Sequence, residues 1–131
     1  MSLDVSPELL AQAEAGPVSP DAFLETVRTS LPYAYTMVER LAKELAAGGG
    51  APFADNVVPP ENEVERGQLL RALSSNAIRA SLERHFGVAL AFQNCHRLAA
   101  FPANAEGSEV YARFTSPRAQ LLNQSPELRD C

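Results

Sequence analysis

Gly87-Val88-Ala89-Leu90-Ala91-Phe92-Gln93-Asn94-Cys95-His96-Arg97-Leu98-Ala99-Ala100-Phe101 decides the fold class. The segments before it read as helix and loop, so the chain becomes α+β only if this run is extended. Val88–Phe101 is apolar at both ends and polar in the middle. A single strand of that length is unusual, because strands typically hold about five or six residues. Two strands, 88–92 and 97–101, joined by a turn at Gln93–His96, fit better. Asn94 tolerates the left-handed backbone that such turns need. One long strand is the alternative. The run therefore predicts an α+β protein, mainly helical with three to four helices, carrying a small antiparallel β-hairpin at about 88–101. At 131 residues the chain is long enough for one core and too short for two, giving a single domain over 1–131.

Working back from the hairpin, Gly87 is a left-handed helix stop. The residues before it predict one helix from about Glu63 to Phe86. Leu69, Leu70, Leu73, Ala77, Ile78, Leu82 and Phe86 form its broad buried face. Further upstream, Leu24, Val27, Leu31, Ala34, Val38, Leu41 and Leu45 alternate at spacings of three and four, an a/d seam of nearly three heptads. Pro32 interrupts this seam by removing a backbone donor and crowding the carbonyl of Arg28. The region Pro20–Ala47 is therefore read as a kinked helix, or as two helices meeting near Ser30–Tyr33. The seam packs inside its own domain or forms a coiled-coil dimer, and the proline favours the first.

Serine followed by proline opens several segments, at Ser6-Pro7, Ser19-Pro20, Ser116-Pro117 and Ser125-Pro126. The serine hydroxyl accepts from orphan amides at a helix start, and proline at the first helical position loses no hydrogen bond. A short helix is expected at about 7–15, stopped by Gly16-Pro17. Residues 48–63 form a long loop by composition, with Phe53, Val57 and Val58 pinning it to the body. Beyond the hairpin, Val110, Phe114, Pro117 and Leu121 fall at helical spacings. They predict a final helix broken at Ser116-Pro117, with a short tail after Gln124.

Charge is unevenly spread. Residues 1–65 carry 11 acids and 3 bases, residues 66–97 carry 1 acid and 5 bases, and residues 98–131 carry 4 acids and 3 bases. The sum of −8, +4 and −1 is the net charge of −5. An acidic balance argues against a general nucleic-acid or acidic-membrane binder. The apolar stretches are too short and interrupted to span a bilayer, so no membrane is expected. Ten arginines stand against one lysine, Lys43, which reads as the codon bias of a high-GC genome. Two cysteines, Cys95 and Cys131, are too few for a disulfide-built secreted domain, and no signal peptide is recognised. These features predict a reduced, cytoplasmic protein.

The residues that could carry chemistry gather at the hairpin turn. Asn94, Cys95, His96 and Arg97, with His85, are the candidate ligand-binding set. A thiolate at Cys95 near these cationic groups would have a lowered pKa, although adjacent residues on a strand point to opposite faces. His85, Cys95, His96 and Cys131 supply a zinc-type ligand set, but no C-x2-C or H-x3-H spacing supports a metal site. The arginines at 66, 71, 79 and 84 do not fall on one helix face, so they form no single phosphate-gripping stripe. Pairing with the acidic N-terminal helices is their simplest role. The sharper alternative is an anion pocket with Arg97 and Arg118. No Gly-rich phosphate loop, paired-carboxylate signature or G-x-S-x-G occurs, and no cofactor is expected. A winged helix-turn-helix is disfavoured by the charge and by the long loop before residue 63.

Three stretches and the chain end carry a resemblance. They are Thr26-Val27-Arg28-Thr29-Ser30-Leu31-Pro32-Tyr33-Ala34, Arg66-Gly67-Gln68-Leu69-Leu70-Arg71-Ala72-Leu73, and His85-Phe86-Gly87-Val88 through Gln93-Asn94-Cys95-His96-Arg97. The end is Leu122-Asn123-Gln124-Ser125-Pro126-Glu127-Leu128-Arg129-Asp130-Cys131. Over nearly all its length the chain resembles an uncharacterised family of small actinobacterial, mostly streptomycete, proteins of about 130 residues. The resemblance implies an intracellular setting and carries over no functional residue. The resulting expectation is a non-enzymatic interaction or regulatory domain, a homo-oligomer or the binder of a protein partner. The alternative is an anionic small-molecule-binding protein or small enzyme with its site around Gln93–Arg97.

Overall fold

The computed structural model describes residues 2–93 and 97–123. Among them the order is α1 (Pro7–Ala15), α2 (Pro20–Ser30), α3 (Pro32–Ala47), β1 (Ala54–Asp55), α4 (Glu63–Ser74), α5 (Asn76–Phe86), β2 (Val88–Gln93), β3 (Arg97–Pro102), α6 (Glu109–Phe114) and α7 (Pro117–Leu122). The class is α+β, but the helices number seven rather than three to four. The expected helix starts account for part of that difference. Ser6, Ser19 and Ser116 each cap a helix whose first turn holds proline. Ser108 caps α6, accepting from the Tyr111 amide, so the expected final helix is two short ones.

The region Pro20–Ala47 takes the second of its two expected forms, two helices meeting between Ser30 and Tyr33. At Leu31 the backbone leaves the helical region, with φ −127° and ψ 61°, because a residue before proline is pushed out of it. The helix restarts at once as α3. Its first amides are satisfied from another element: Gln68 Oε1 on α4 accepts from the Tyr33 and Ala34 amides at 2.7 and 3.2 Å. The single helix expected over 63–86 is also two, and Ser75 separates them in an extended conformation. Its hydroxyl accepts from the Ile78 amide and starts α5. This break re-aims the face expected to be buried, leaving Leu70 half exposed and Ala77 exposed, while Leu69, Leu73, Ile78 and Leu82 remain buried. Gly87, at φ 66° and ψ 39°, ends α5 as expected and feeds directly into β2.

The hairpin forms, one residue longer on each strand than expected, with Gln93 opposite Arg97 and Val88 opposite Pro102. A strand absent from the expectation completes the sheet. Within the 48–63 loop, Ala54 and Asp55 pair antiparallel with Ala100 and Ala99, giving the order β1-β3-β2. Asn56 extends that pairing: its amide donates to the Leu98 carbonyl, and its side-chain oxygen accepts from the Leu98 amide at 2.6 Å. Phe53 does pin the loop, stacking on Phe101 and Phe114. Val57 and Val58 do not, being 87% and 65% exposed.

Strand alternation divides the core in two. Val88, Leu90, Leu98 and Ala100 face α2–α5 and join the heptad seam, of which Val27, Leu31, Ala34, Val38 and Leu41 are buried. The seam therefore packs inside the domain. On the opposite face Ala89, Ala91, Ala99 and Phe101 meet Phe53, Phe114 and Tyr111. The small alanines let α6 lie close, and Phe101 is surrounded by three aromatic rings at 5.0–5.5 Å between centroids.

Candidate functional site

The two residues that frame the expected turn site, Gln93 and Arg97, lie opposite each other on the aromatic face of the sheet. Asn94, Cys95 and His96 lie outside the described residues, as does Cys131. Arg97 is already engaged. Its Nε donates to Asp55 Oδ2 at 2.9 Å, its Nη1 reaches Gln93 Oε1 at 3.4 Å, and its guanidinium lies 5.2 Å from the Phe114 ring centroid. Gln93 in turn donates from Nε2 to the Phe114 carbonyl at 2.6 Å. The group ties β1, β3 and α6 together at one end of the sheet. Charge-assisted hydrogen bonds of this kind are worth about 1.5–3 kcal/mol each. The Asp55 partner lies 42 residues from Arg97 in sequence, and no motif marks it.

His85 is not brought to this group. It sits at the end of α5, beside the start of β2, whereas Gln93 is at the far end of that strand. Five strand steps separate those ends by about 17 Å. His85 is exposed, packs edge-on against Phe86 with centroids 4.7 Å apart, and has its Nε2 3.4 Å from the Tyr35 hydroxyl. An open groove of about 150 Å³ adjoins it, lined by Pro20, Asp21, Leu24, Ser81 and Arg84.

The basic segment does not act as one electrostatic unit. Because Ser75 breaks the helix, Arg66 and Arg71 stand on α4 while Arg79 and Arg84 stand on α5. Arg79 pairs with Glu83 of its own helix at 4.0 Å. The N-terminal acids Glu25, Glu39 and Glu44 pair with Arg28, Lys43 and Arg40 of their own helices. Among the described residues no group of three or more His, Cys, Asp or Glu side chains is placed to hold a metal ion. No helix among them is long and apolar enough to cross a membrane.

A feature that the sequence did not signal runs along β2. Among the described residues that strand is an edge of the sheet, and beside it lies a slot of about 270 Å³ lined by Leu73, Arg79, Leu90, Ala91, Phe92 and Tyr111. Burial pushes the Tyr111 phenol above its ordinary pKa, Glu106 and Glu83 act in the same direction, and Arg79 opposes them. The slot exists only because β1 takes the other side of β3, a long-range choice that local spacing does not encode.

A helical layer on one face of a three-stranded antiparallel sheet, and an aromatic cap on the other, define a small α+β domain. The chain belongs to the family described as NucS shadow ORF, which matches residues 1–131, and whose label also carries the term KH. No curated protein and no solved structure matches it.

Proposed function

We propose that the protein is a non-enzymatic interaction domain that engages another protein through its surface. The observation that carries this reading is the set of large apolar side chains left exposed among the described residues, Val57, Val58, Val64, Leu70, Leu121 and Leu122, which offer contact area to a macromolecular partner. The engagement of Arg97 by Asp55 and Phe114 supports it further, since the cation expected to anchor a small anion braces the hairpin instead. The internal heptad seam favours a different protein over a second copy, because the surface that suggested a homodimer is buried. We place the protein in an actinobacterial cytoplasm, on the strength of its arginine-rich composition and its two cysteines.

The term KH in the family label names a module that clamps single-stranded nucleic acid with a G-x-x-G loop. In this chain no two glycines stand three positions apart, and the α4–α5 turn is Ser74-Ser75-Asn76. Ser75 is engaged as the α5 cap, and the net charge is −5. Both features weigh against backbone clamping and toward a protein partner.

In-cell photocrosslinking tests the reading, with a benzophenone amino acid placed in turn at Leu70, Phe92, Leu121 and Thr36. The expected result is position-dependent adducts that protease removes and nuclease does not. Nucleic-acid adducts, or none above background at any position, would overturn it. Stabilisation by phosphate over chloride at matched ionic strength, lost in Arg97→Gln, would favour the small-anion reading instead.

A further inference from the structure

The groove beside His85 separates the start of α2 from the end of α5. Pro20, Asp21 and Leu24 line it from α2, and Ser81, Arg84 and His85 line it from α5. The three α5 residues stand three and four positions apart and so share one helix face. The groove holds about 150 Å³. Pockets for drug-sized ligands hold about 300–1,000 Å³, so this one suits a small molecule.

Three polar side chains on its walls have no partner among the described residues. Ser81 is only 5% exposed. Hydroxyls inside helices commonly bond back to the carbonyl four residues earlier, as Thr26 and Thr29 do with Ala22 and Glu25. Ser81 makes no such bond and no other, yet its Oγ is not sealed from solvent, so the hydroxyl opens on the groove. Arg84 and Asp21 are exposed, and neither has an ion-pair or hydrogen-bond partner among the described residues. Elsewhere Glu25 with Arg28, Glu39 with Lys43 and Glu44 with Arg40 pair within their own helices. Here opposite charges line one groove without closing on each other. His85 is already engaged, with Nε2 3.4 Å from the Tyr35 hydroxyl and its ring against Phe86, and serves as wall.

A simple anion in this groove would gain from Arg84 and be opposed by Asp21, and a simple amine would meet the reverse. A ligand carrying both charges gains from both. We propose that the groove binds a small apolar α-amino acid as its zwitterion. The carboxylate lies on Arg84 and the Ser81 hydroxyl, the ammonium on Asp21, and the side chain against Pro20 and Leu24. The arginine fork suits a carboxylate, and the hydroxyl donates alongside it. The site goes beyond the interaction-domain reading and stands without it.

Asp21 at the start of α2 and Arg84 at the end of α5 also complement their own helix dipoles, so the test reads ligand response rather than stability. The isotope-labelled full chain is titrated with L-alanine, L-valine and L-leucine, and its backbone amides are followed by two-dimensional NMR. Saturable shifts at Leu24, Ser81 and Arg84 are expected with at least one of them. The N-acetyl derivative of the tightest binder lacks the ammonium, and its methyl ester lacks the carboxylate. Each should bind wild type about tenfold more weakly, the loss expected when a charge-assisted hydrogen bond is removed. Arg84→Gln and Asp21→Asn should weaken binding similarly, Ser81→Ala by a smaller factor, and Arg79→Gln should leave it unchanged. Should a variant fail to fold, the two derivatives decide alone. No saturable shift with any of the three amino acids, equally tight binding of acetate or phosphate, or undiminished binding of either derivative would each overturn the proposal.

Discussion

Gln68 belongs to α4 but completes α3. The first four amides of a helix have no partner within it, and at α3 the preceding residue is Leu31, whose side chain offers no acceptor. The buried Gln68 amide supplies one oxygen to two of those donors. Replacing it with leucine preserves bulk and strands both N–H groups away from water. Gln68→Leu should therefore lose about 1–3 kcal/mol of stability, read from urea unfolding midpoints at constant slope. A loss under about 0.5 kcal/mol would mean that the two amides find water or another acceptor. Nothing in the sequence near Gln68 announced this role, because the donors and the acceptor lie 34 and 35 residues apart.

At the scale of elements, the Ser75 junction separates two readings of 63–86. As the cap of α5 its hydroxyl holds the Ile78 amide, so Ser75→Ala should cost about 1 kcal/mol. In one continuous helix the same change would be neutral or stabilising, since alanine is the better helix former. Thermal melts of this single variant decide between them. The comparison also shows which elements were legible. Starts marked by Ser-Pro and the stop at Gly87 could be read because their chemistry is local. The break at Ser75 lacks glycine and proline and sits inside an apolar pattern that both readings satisfy. Strand β1 is two residues long and forms only through its pairing with β3. At the candidate site, the closeness of Gln93 and Arg97 followed from the hairpin. The Asp55 partner, the separation of His85 and the slot beside β2 all depended on tertiary pairing.

Across the whole molecule the sheet is the shared wall of both cores. Helices α2–α5 bury the longer aliphatic face, while α6 and Phe53 cover the alanine-rich one. The central strand β3 is thus held from four directions: by β1, β2, the helical layer and the aromatic cap. Its residues Leu98, Ala99, Ala100 and Phe101 are all fully buried.

The pairing of β1 with that central strand has a kinetic consequence. In the β2–β3 pair, Gln93 meets Arg97 four positions along the chain, whereas Asn56 meets Leu98 across 42 residues. Closing so long a loop costs about 3 kcal/mol of chain entropy before any contact rewards it. Local contacts reward the chain sooner, so the hypothesis is that the hairpin and α5 are ordered at the folding barrier and β1 joins afterwards. Stopped-flow chevrons then distinguish two variants. Asn56→Ala should accelerate unfolding and leave the folding rate nearly unchanged, while Leu90→Ala should slow folding. An Asn56→Ala variant whose destabilisation appears mainly in the folding rate would place the β1 closure in the nucleus instead.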